Sequence, residues 1–230
     1  MMKAKKISDH IWSLKTWMII PIHVWVVVDE DGVTLVDAGM PMMAKGIMKF
    51  IKQLNAGTLQ RILLTHGHSD HVGAVKEILK SNEVPVYAHQ IEIPYMEGEI
   101  VYPKRKKLEL NLPKKLTQPL LEDKTGNMQS IGGLTPIFTP GHSPGHVAYY
   151  HEKDGILLGG DLFTSKKGKL RSPMPMFTAD MALAVKSASV LSELKPKLLE
   201  VCHGNAVIRP ADQLEDYVRS MEIKLGGRLS

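Results

Sequence analysis

The 230-residue chain has a single cysteine, Cys202, so it can form no internal disulfide and cannot build a cysteine-rich zinc module. Aromatic residues make up only 6% of it. No basic patch is interleaved with aromatics, and no nucleic-acid motif is present, so a nucleic-acid partner is not expected. Long apolar runs are missing too. The start, MMKAKKISDHIWSLK, has basic residues with no apolar stretch behind them. Met18 to Val28 is broken by Pro21 and His23, and ends in Asp29, Glu30 and Asp31. That segment is too short to span a bilayer. With no signal peptide or anchor, the expected location is the cytoplasm, with no membrane partner. Repeats, low-complexity tracts and long Pro/Gly/Ser linkers are also absent.

What is present is an ordinary enzyme composition, 43% hydrophobic and 23% charged, with a net charge of +5. The length allows a large single core, and one domain over residues 1–230 is expected. Strands are expected at Ile7 to Leu14, Ile19 to Val28, Val33 to Val36, Arg61 to Leu64 and Val84 to Ala88. More follow at Met128 to Ile131, Thr135 to Thr139, Val147 to His151, Ile156 to Gly159 and Lys197 to Val201. Helices are expected from Pro41 to Leu54, Val72 to Leu79, near Ile91, Asp180 to Leu194 and Ala211 to Leu225. Residues 97–126, rich in lysine, proline and leucine, interrupt the rhythm and read as an excursion that caps a site. Strands interleaved with helices in both halves place the chain in the α/β class, as layered sheet with helices outside.

The chemistry is concentrated in Thr65-His66-Gly67-His68-Ser69-Asp70-His71, directly after a short apolar strand. His66 and His68 are two residues apart, so on extended backbone both imidazoles point the same way. Asp70 and His71 fall where the chain turns into the next helix. Imidazole and carboxylate together suit borderline divalent metals, zinc first, with iron and manganese as rivals. Other candidates arrive at strand ends: His142 in a Gly/Pro-shaped loop, Asp161 after Ile156-Leu157-Leu158, and His203 after Leu198 to Val201. Singly, each has a bland alternative as a turn or capping residue. Cys202 precedes His203 by one position and would turn to the opposite face, as a small buried side chain.

These residues resemble the metallo-β-lactamase superfamily, whose pattern His-x-His-x-Asp-His is followed by separate His, Asp and His residues. Leu35-Val36-Asp37-Ala38-Gly39 matches that family's first characteristic segment, and the resemblance spans roughly residues 20 to 210. It implies a four-layered αββα sandwich with a metal site at one edge of the sheets. Carried over residue by residue, it implies that His66, His68 and His142 hold one metal. Asp70, His71 and His203 would hold a second, and Asp161 would bridge both. Asp37 would orient the metal-binding loop, and His146, the second histidine of Gly141-His142-Ser143-Pro144-Gly145-His146, would support the ligands without binding metal.

The resemblance also implies the reaction. Two bridged divalent ions, most simply zinc, would lower the pKa of a shared water, and the hydroxide would attack an acyl carbonyl. Asp70 and Asp161 would handle protons. Having Asp70 and His71 together, with no cysteine ligand, favours the esterase-like branches: lactonases, and hydroxyacyl-glutathione hydrolases of the glyoxalase II type. A small-molecule lactone, ester or thioester is the expected substrate. The alternatives are β-lactamase, mononuclear iron persulfide dioxygenase, and phosphodiesterase or nuclease activity. Lys166, Lys167, Lys169 and Arg171 follow Asp161 and are expected at the cleft mouth to meet an anionic substrate group. Met176 and Phe177 would supply an adaptable apolar wall.

Overall fold

The computed structural model describes residues 2–226; Met1 and residues 227–230 of the expected unit lie outside the described residues. Alternating side chains make the layers. In the strand Val147–His151, Val147 and Tyr149 join the core between two sheets, whereas Ala148 and Tyr150 face the other way, into a second apolar cluster. Ile156–Leu158 divides in the same manner, Ile156 and Leu158 inward and Leu157 outward. A strand that is apolar on both faces must be covered on both, and here helices supply the outer cover.

The first sheet has seven strands in sequential order: β1 (Lys3–Lys6), β2 (Ile11–Trp17), β3 (Pro21–Asp29), β4 (Gly32–Val36), β5 (Leu59–Leu63), β6 (Val86–Ala88) and β7 (Thr117–Pro119). It is antiparallel up to β4 and parallel beyond. The second sheet is built from β8 (Thr135–Phe138), β9 (Val147–His151), β10 (Ile156–Leu158), β13 (Leu198–Glu200) and β14 (Val207–Ile208), in the order β14-β13-β10-β9-β8. Between β10 and β13 the chain adds a separate hairpin, β11 (Thr164–Lys166) and β12 (Lys169–Arg171).

Helices α1 (Ala44–Leu54), α2 (Ser69–Val72), α3 (Val75–Leu79) and α4 (Ile93–Met96) belong to the first half. Ile47, Ile51, Val75 and Ile78 of α1 and α3 pack on its sheet. The second half has α5 (Met181–Ser187), α6 (Val190–Leu194) and α7 (Leu214–Leu225), whose Val185, Leu191, Tyr217 and Met221 cover Leu157 and Leu199. This is the αββα order expected. No helix among the described residues is long and apolar enough to cross a membrane.

Several expected elements take a different form. The helix expected at Val72 to Leu79 breaks at Gly73, whose Cα lies so close to Ser69 O and Pro41 that a Cβ would clash. Met128 to Ile131 forms only isolated bridges, to Glu122 and Leu134, just after a turn in which Asp123 Oδ1 gathers the Thr125 and Asn127 amides. The excursion 97–126 contains β7, which returns to extend the first sheet. The loop after Asp161 is a hairpin turning on Lys167 (φ 54°) and Gly168 (φ 72°), the two positive φ values that a two-residue turn of this hand requires.

Candidate metal centre

Five segments bring their ends to one edge of the two sheets. The loop after β5 carries His66 and His68, α2 carries Asp70 and His71, and the loop before β9 carries His142. The turn after β10 carries Asp161, and the turn after β13 carries His203. Two candidate ligand sets emerge, and Cys202 Sγ, expected on the opposite face, lies within 4.8 Å of the His71, Asp161 and His203 ligand atoms of the second. His66 Nε2 and His142 Nε2 lie 2.9 and 3.1 Å from His68 Nδ1. Beside them, His203 Nε2 lies 3.2 Å from Asp70 Oδ2 and 3.3 Å from Asp161 Oδ2, and His71 Nε2 is 3.5 Å from Asp161 Oδ1. Asp161 Oδ2 is also 3.4 Å from His142 Nε2, so this carboxylate stands between the sets.

The outward nitrogen of each ring fixes what the inward one can do. His71 Nδ1 donates to Asp37 Oδ2 (2.7 Å), and His203 Nδ1 donates to Pro21 O (2.8 Å). Thr65 Oγ1 donates to Asp37 Oδ2 and so accepts from His66 Nδ1 (3.1 Å). Thr178 Oγ1 donates to Met174 O and so accepts from His142 Nδ1 (3.2 Å). In all four rings the outer partner takes Nδ1 and leaves Nε2 facing inward, the arrangement in which outer partners set the tautomer of a ligating histidine. Burial pushes His66 and His142 well below the ordinary histidine range and His68 down to about 4, so all three are neutral at pH 7.

A divalent ion fits this donor set. His66 Nε2 and His142 Nε2 both face His68 Nδ1, where a proton can satisfy one of the two lone pairs and a cation among the three nitrogens satisfies both. His71 Nε2, His203 Nε2 and Asp161 Oδ1 are buried without a hydrogen bond, in a protein interior where such atoms are seldom left unpaired.

His146 lies behind the ligands. Its Nδ1 meets Thr139 Oγ1 (2.9 Å), and its Nε2 accepts from the backbone N–H of Asp161 (3.2 Å). Both nitrogens are engaged, and the ring positions Asp161 from the rear. Asp37, buried at the end of β4 with φ 58°, also receives the Thr65 amide (2.8 Å). It thereby ties the His66 loop to His71.

Glu92 is the buried residue that sequence reasoning missed. Oε1 accepts from Gly67 N (2.9 Å) and the Tyr102 hydroxyl (2.8 Å), and Oε2 accepts from Ser143 Oγ (2.9 Å) and Gly145 N (2.7 Å). One carboxylate thus locks together the His68 loop, the His142 loop and the excursion. The glycines are required here: a Cβ on Gly67 would strike Tyr102 and Met96, and one on Gly145 would strike the Glu92 backbone. A lone glutamate among apolar neighbours carries no signature in sequence.

The excursion covers one side of the centre. The Tyr102 ring lies 5.1 Å from that of His68, Asn111 Nδ2 donates to Gly67 O (2.9 Å), and Lys104 Nζ donates to Thr178 O (2.6 Å). A cavity of about 420 Å³ opens above Asp70 and Asp161, walled by Met18, Ile19, Met174 and Phe177, with Arg105 over the Phe177 ring at 5.1 Å. It shares Ile20 and Met174 with a second depression of about 650 Å³, which runs from His203 between Lys15, Lys166, Lys167 and Arg171. Two residues expected at this cleft lie elsewhere. Lys169 lines only a separate hollow with Gln213 and Tyr217, which Arg171 borders as well, and Met176 is 74% exposed.

The family model of the metallo-beta-lactamase superfamily matches residues 9–203. A probable metallo-hydrolase of Bacillus subtilis, YybB, is 35% identical over 221 residues, covering 94% of this chain and 98% of that protein. A hydroxyacylglutathione hydrolase of Hahella chejuensis is 29% identical, covering 81% of this chain and 58% of that one. Among solved structures, a metallo-beta-lactamase from Erythrobacter litoralis superposes with a TM-score of 0.76 at 17% identity, covering 95% of this chain and 96% of that one.

Proposed function

Because the chain belongs to the metallo-β-lactamase superfamily, we propose that it is a dinuclear metal-dependent hydrolase of ester-like acyl bonds. The observation that carries this reading is the pair of ligand sets joined through Asp161. His66, His68 and His142 would hold one ion, Asp70, His71 and His203 the other, and Asp161 both. Zinc is the first choice for a nitrogen-rich set of this kind. Ions bound there would polarise an acyl carbonyl and bring a water's pKa toward neutrality.

The chain's own residues do the rest. Burial raises Asp161, but His203 and His71 outweigh it and keep the carboxylate ionised. Burial likewise raises Asp70, and the histidines outweigh it, taking the carboxyl down to about 2. Asp70 lines the cavity and its side chain is 29% exposed against 5% for Asp161, so its ionised carboxylate is placed to accept a hydrogen bond from a reacting group. Tyr102 covers His68 from one side, and Phe177 and Met18 on the cavity wall would limit water over the centre and orient an apolar acyl group.

The two arms of the cleft indicate a small bipartite substrate, apolar on the Phe177 side and anionic on the Lys166–Arg171 side. Lactones, esters and thioesters all present the required carbonyl. The glyoxalase II-like thioesterase is the second reading, favoured by the basic arm and by the similarity to a hydroxyacylglutathione hydrolase.

The test is a hydrolysis screen on lactones, esters, thioesters, β-lactams and phosphodiesters, with metal content measured on the same protein. Two ions per chain and turnover of acyl substrates are expected. One ion or none after reconstitution would sink the dinuclear reading, and turnover of phosphodiesters alone would sink the acyl one.

A further inference from the structure

Away from the centre, the turn between β1 and β2 meets the turn between β9 and β10, joining the two sheets at a point where three potential ligands converge. They are His10, His151 and Asp154, of which the His151 and Asp154 side chains are 5% and 12% exposed. His10 Nδ1 lies 3.0 Å from Asp154 Oδ1 and 3.2 Å from Oδ2, and His151 Nδ1 lies 3.3 Å from Oδ2. Ligands sharing one tetrahedral zinc ion at about 2.0–2.1 Å are separated by about 3.3 Å. The two rings stand 5.2 Å apart at 35° and face the same carboxylate.

His151 makes the arrangement informative. The backbone N–H of Asp154 donates to His151 Nδ1 (3.3 Å), so that nitrogen holds a lone pair rather than a proton. That lone pair also faces the Asp154 carboxylate at 3.3 Å, and a cation bound between them would take it over from the N–H. A proton on the ring is the competing answer, but burial pushes His151 below the ordinary histidine range. Asp154 stays ionised, because hydrogen bonds from Ser8 and His10 outweigh its burial, and an ion bound there would take the place of the proton on His10 Nδ1. The group borders an open hollow of about 460 Å³ lined by Lys6, Lys153 and Lys197, through which an ion and a completing water can enter. One carboxylate is too few for hard ions such as calcium or magnesium, which take sets of oxygen ligands. Two imidazoles with one carboxylate select zinc, cobalt or nickel.

We propose that His10, His151 and Asp154 form a second, separate transition-metal site that ties the two sheets together at the face carrying the β1–β2 and β9–β10 turns. It lies outside the hydrolytic centre and uses none of its ligands, so it stands or falls independently of the proposed reaction.

The experiment counts zinc by mass spectrometry in wild-type protein and in His10→Gln and Asp154→Asn, each equilibrated with the same free zinc. Both variants are expected to hold one equivalent fewer than wild type with acyl hydrolysis unchanged. Because the count is a difference, it does not depend on how many ions the main centre holds. Zinc is also expected to raise the melting midpoint of a His66→Ala/His203→Ala double variant, and to lose that effect when Asp154→Asn is added. Equal zinc content in wild type and both variants, or no zinc-induced shift in the double variant, overturns the proposal.

Discussion

Asp37 Oδ2 lies 2.7 Å from His71 Nδ1, with both side chains fully buried. The same carboxylate holds the Thr65 amide and hydroxyl, so it fixes the His71 tautomer and the strand end that leads to His66. Asp37→Asn should keep the shape but can present an N–H to the ring, removing the force that aims Nε2 inward. A loss of about 10–100-fold in affinity for the second ion is expected, with activity falling in parallel. The check is a competitive zinc titration: a weaker second step with the first step unchanged supports the role, and two unchanged steps refute it.

Glu92 makes the complementary prediction for the first ion. Its carboxylate takes four donors, and Glu92→Gln must turn an amide N–H₂ toward at least one of them. A buried donor left unmatched costs about 1–3 kcal/mol. Urea unfolding should register that loss, and the His68 and His142 loops should loosen together. First-ion affinity should therefore fall while Asp37→Asn effects on the second ion persist in the double variant. Wild-type first-ion affinity in Glu92→Gln would remove the positioning role.

The residues that converge at this edge were legible because most lie just beyond a strand end, where short-range pattern and residue type coincide: His66 after β5, Asp161 after β10, His203 after β13. Layered sheet with helices outside followed from the strands interleaved with helices in both halves, and the αββα order from the family resemblance. What escaped depends on distant contacts. Glu92 acquires its role only from Gly67 and Gly145, 25 and 53 residues away. Arg105 reaches the cleft through an excursion whose path no local periodicity encodes. The β11–β12 hairpin did leave a signal, Lys167-Gly168 between short β-prone segments, but a lysine at positive φ is a weak one. The helix expected from Asp180 to Leu194 divides around Ala188 and Ser189, where the turn onto the second sheet overrides helical propensity.

The basic arm predicts a substrate-dependent kinetic split. Lys167→Ala and Arg171→Ala should raise KM for anionic acyl substrates several-fold, leaving kcat and the KM for neutral ones near wild type. Lys169→Ala, whose side chain faces the other hollow, is the internal control and should change neither. Raised ionic strength should shrink the difference, since the arm is open to solvent. Equal effects on charged and neutral substrates would argue that these residues support the hairpin rather than the substrate.

Acid stability follows from His23. Its Nδ1 pairs with Ser13 Oγ at 2.8 Å, while Nε2 is buried without a partner. Burial, with nearby Lys15 and His203, lowers its pKa to about 4 from an ordinary 6.5. Between those values the unfolded chain binds a proton that the folded chain refuses, so stability is fully present above pH 6.5 and declines as pH falls toward 4. At about 1.4 kcal/mol per unit, the loss amounts to about 3 kcal/mol at the low end. His23→Gln, which keeps a polar group for Ser13 but cannot take up the proton, should flatten this part of the profile. Measured by urea unfolding at fixed zinc between pH 4 and 7, an unchanged slope in the variant would assign the acid lability to the ligand histidines instead. A flattened slope would place it in the core of the first sheet, on a strand neighbouring the metal edge.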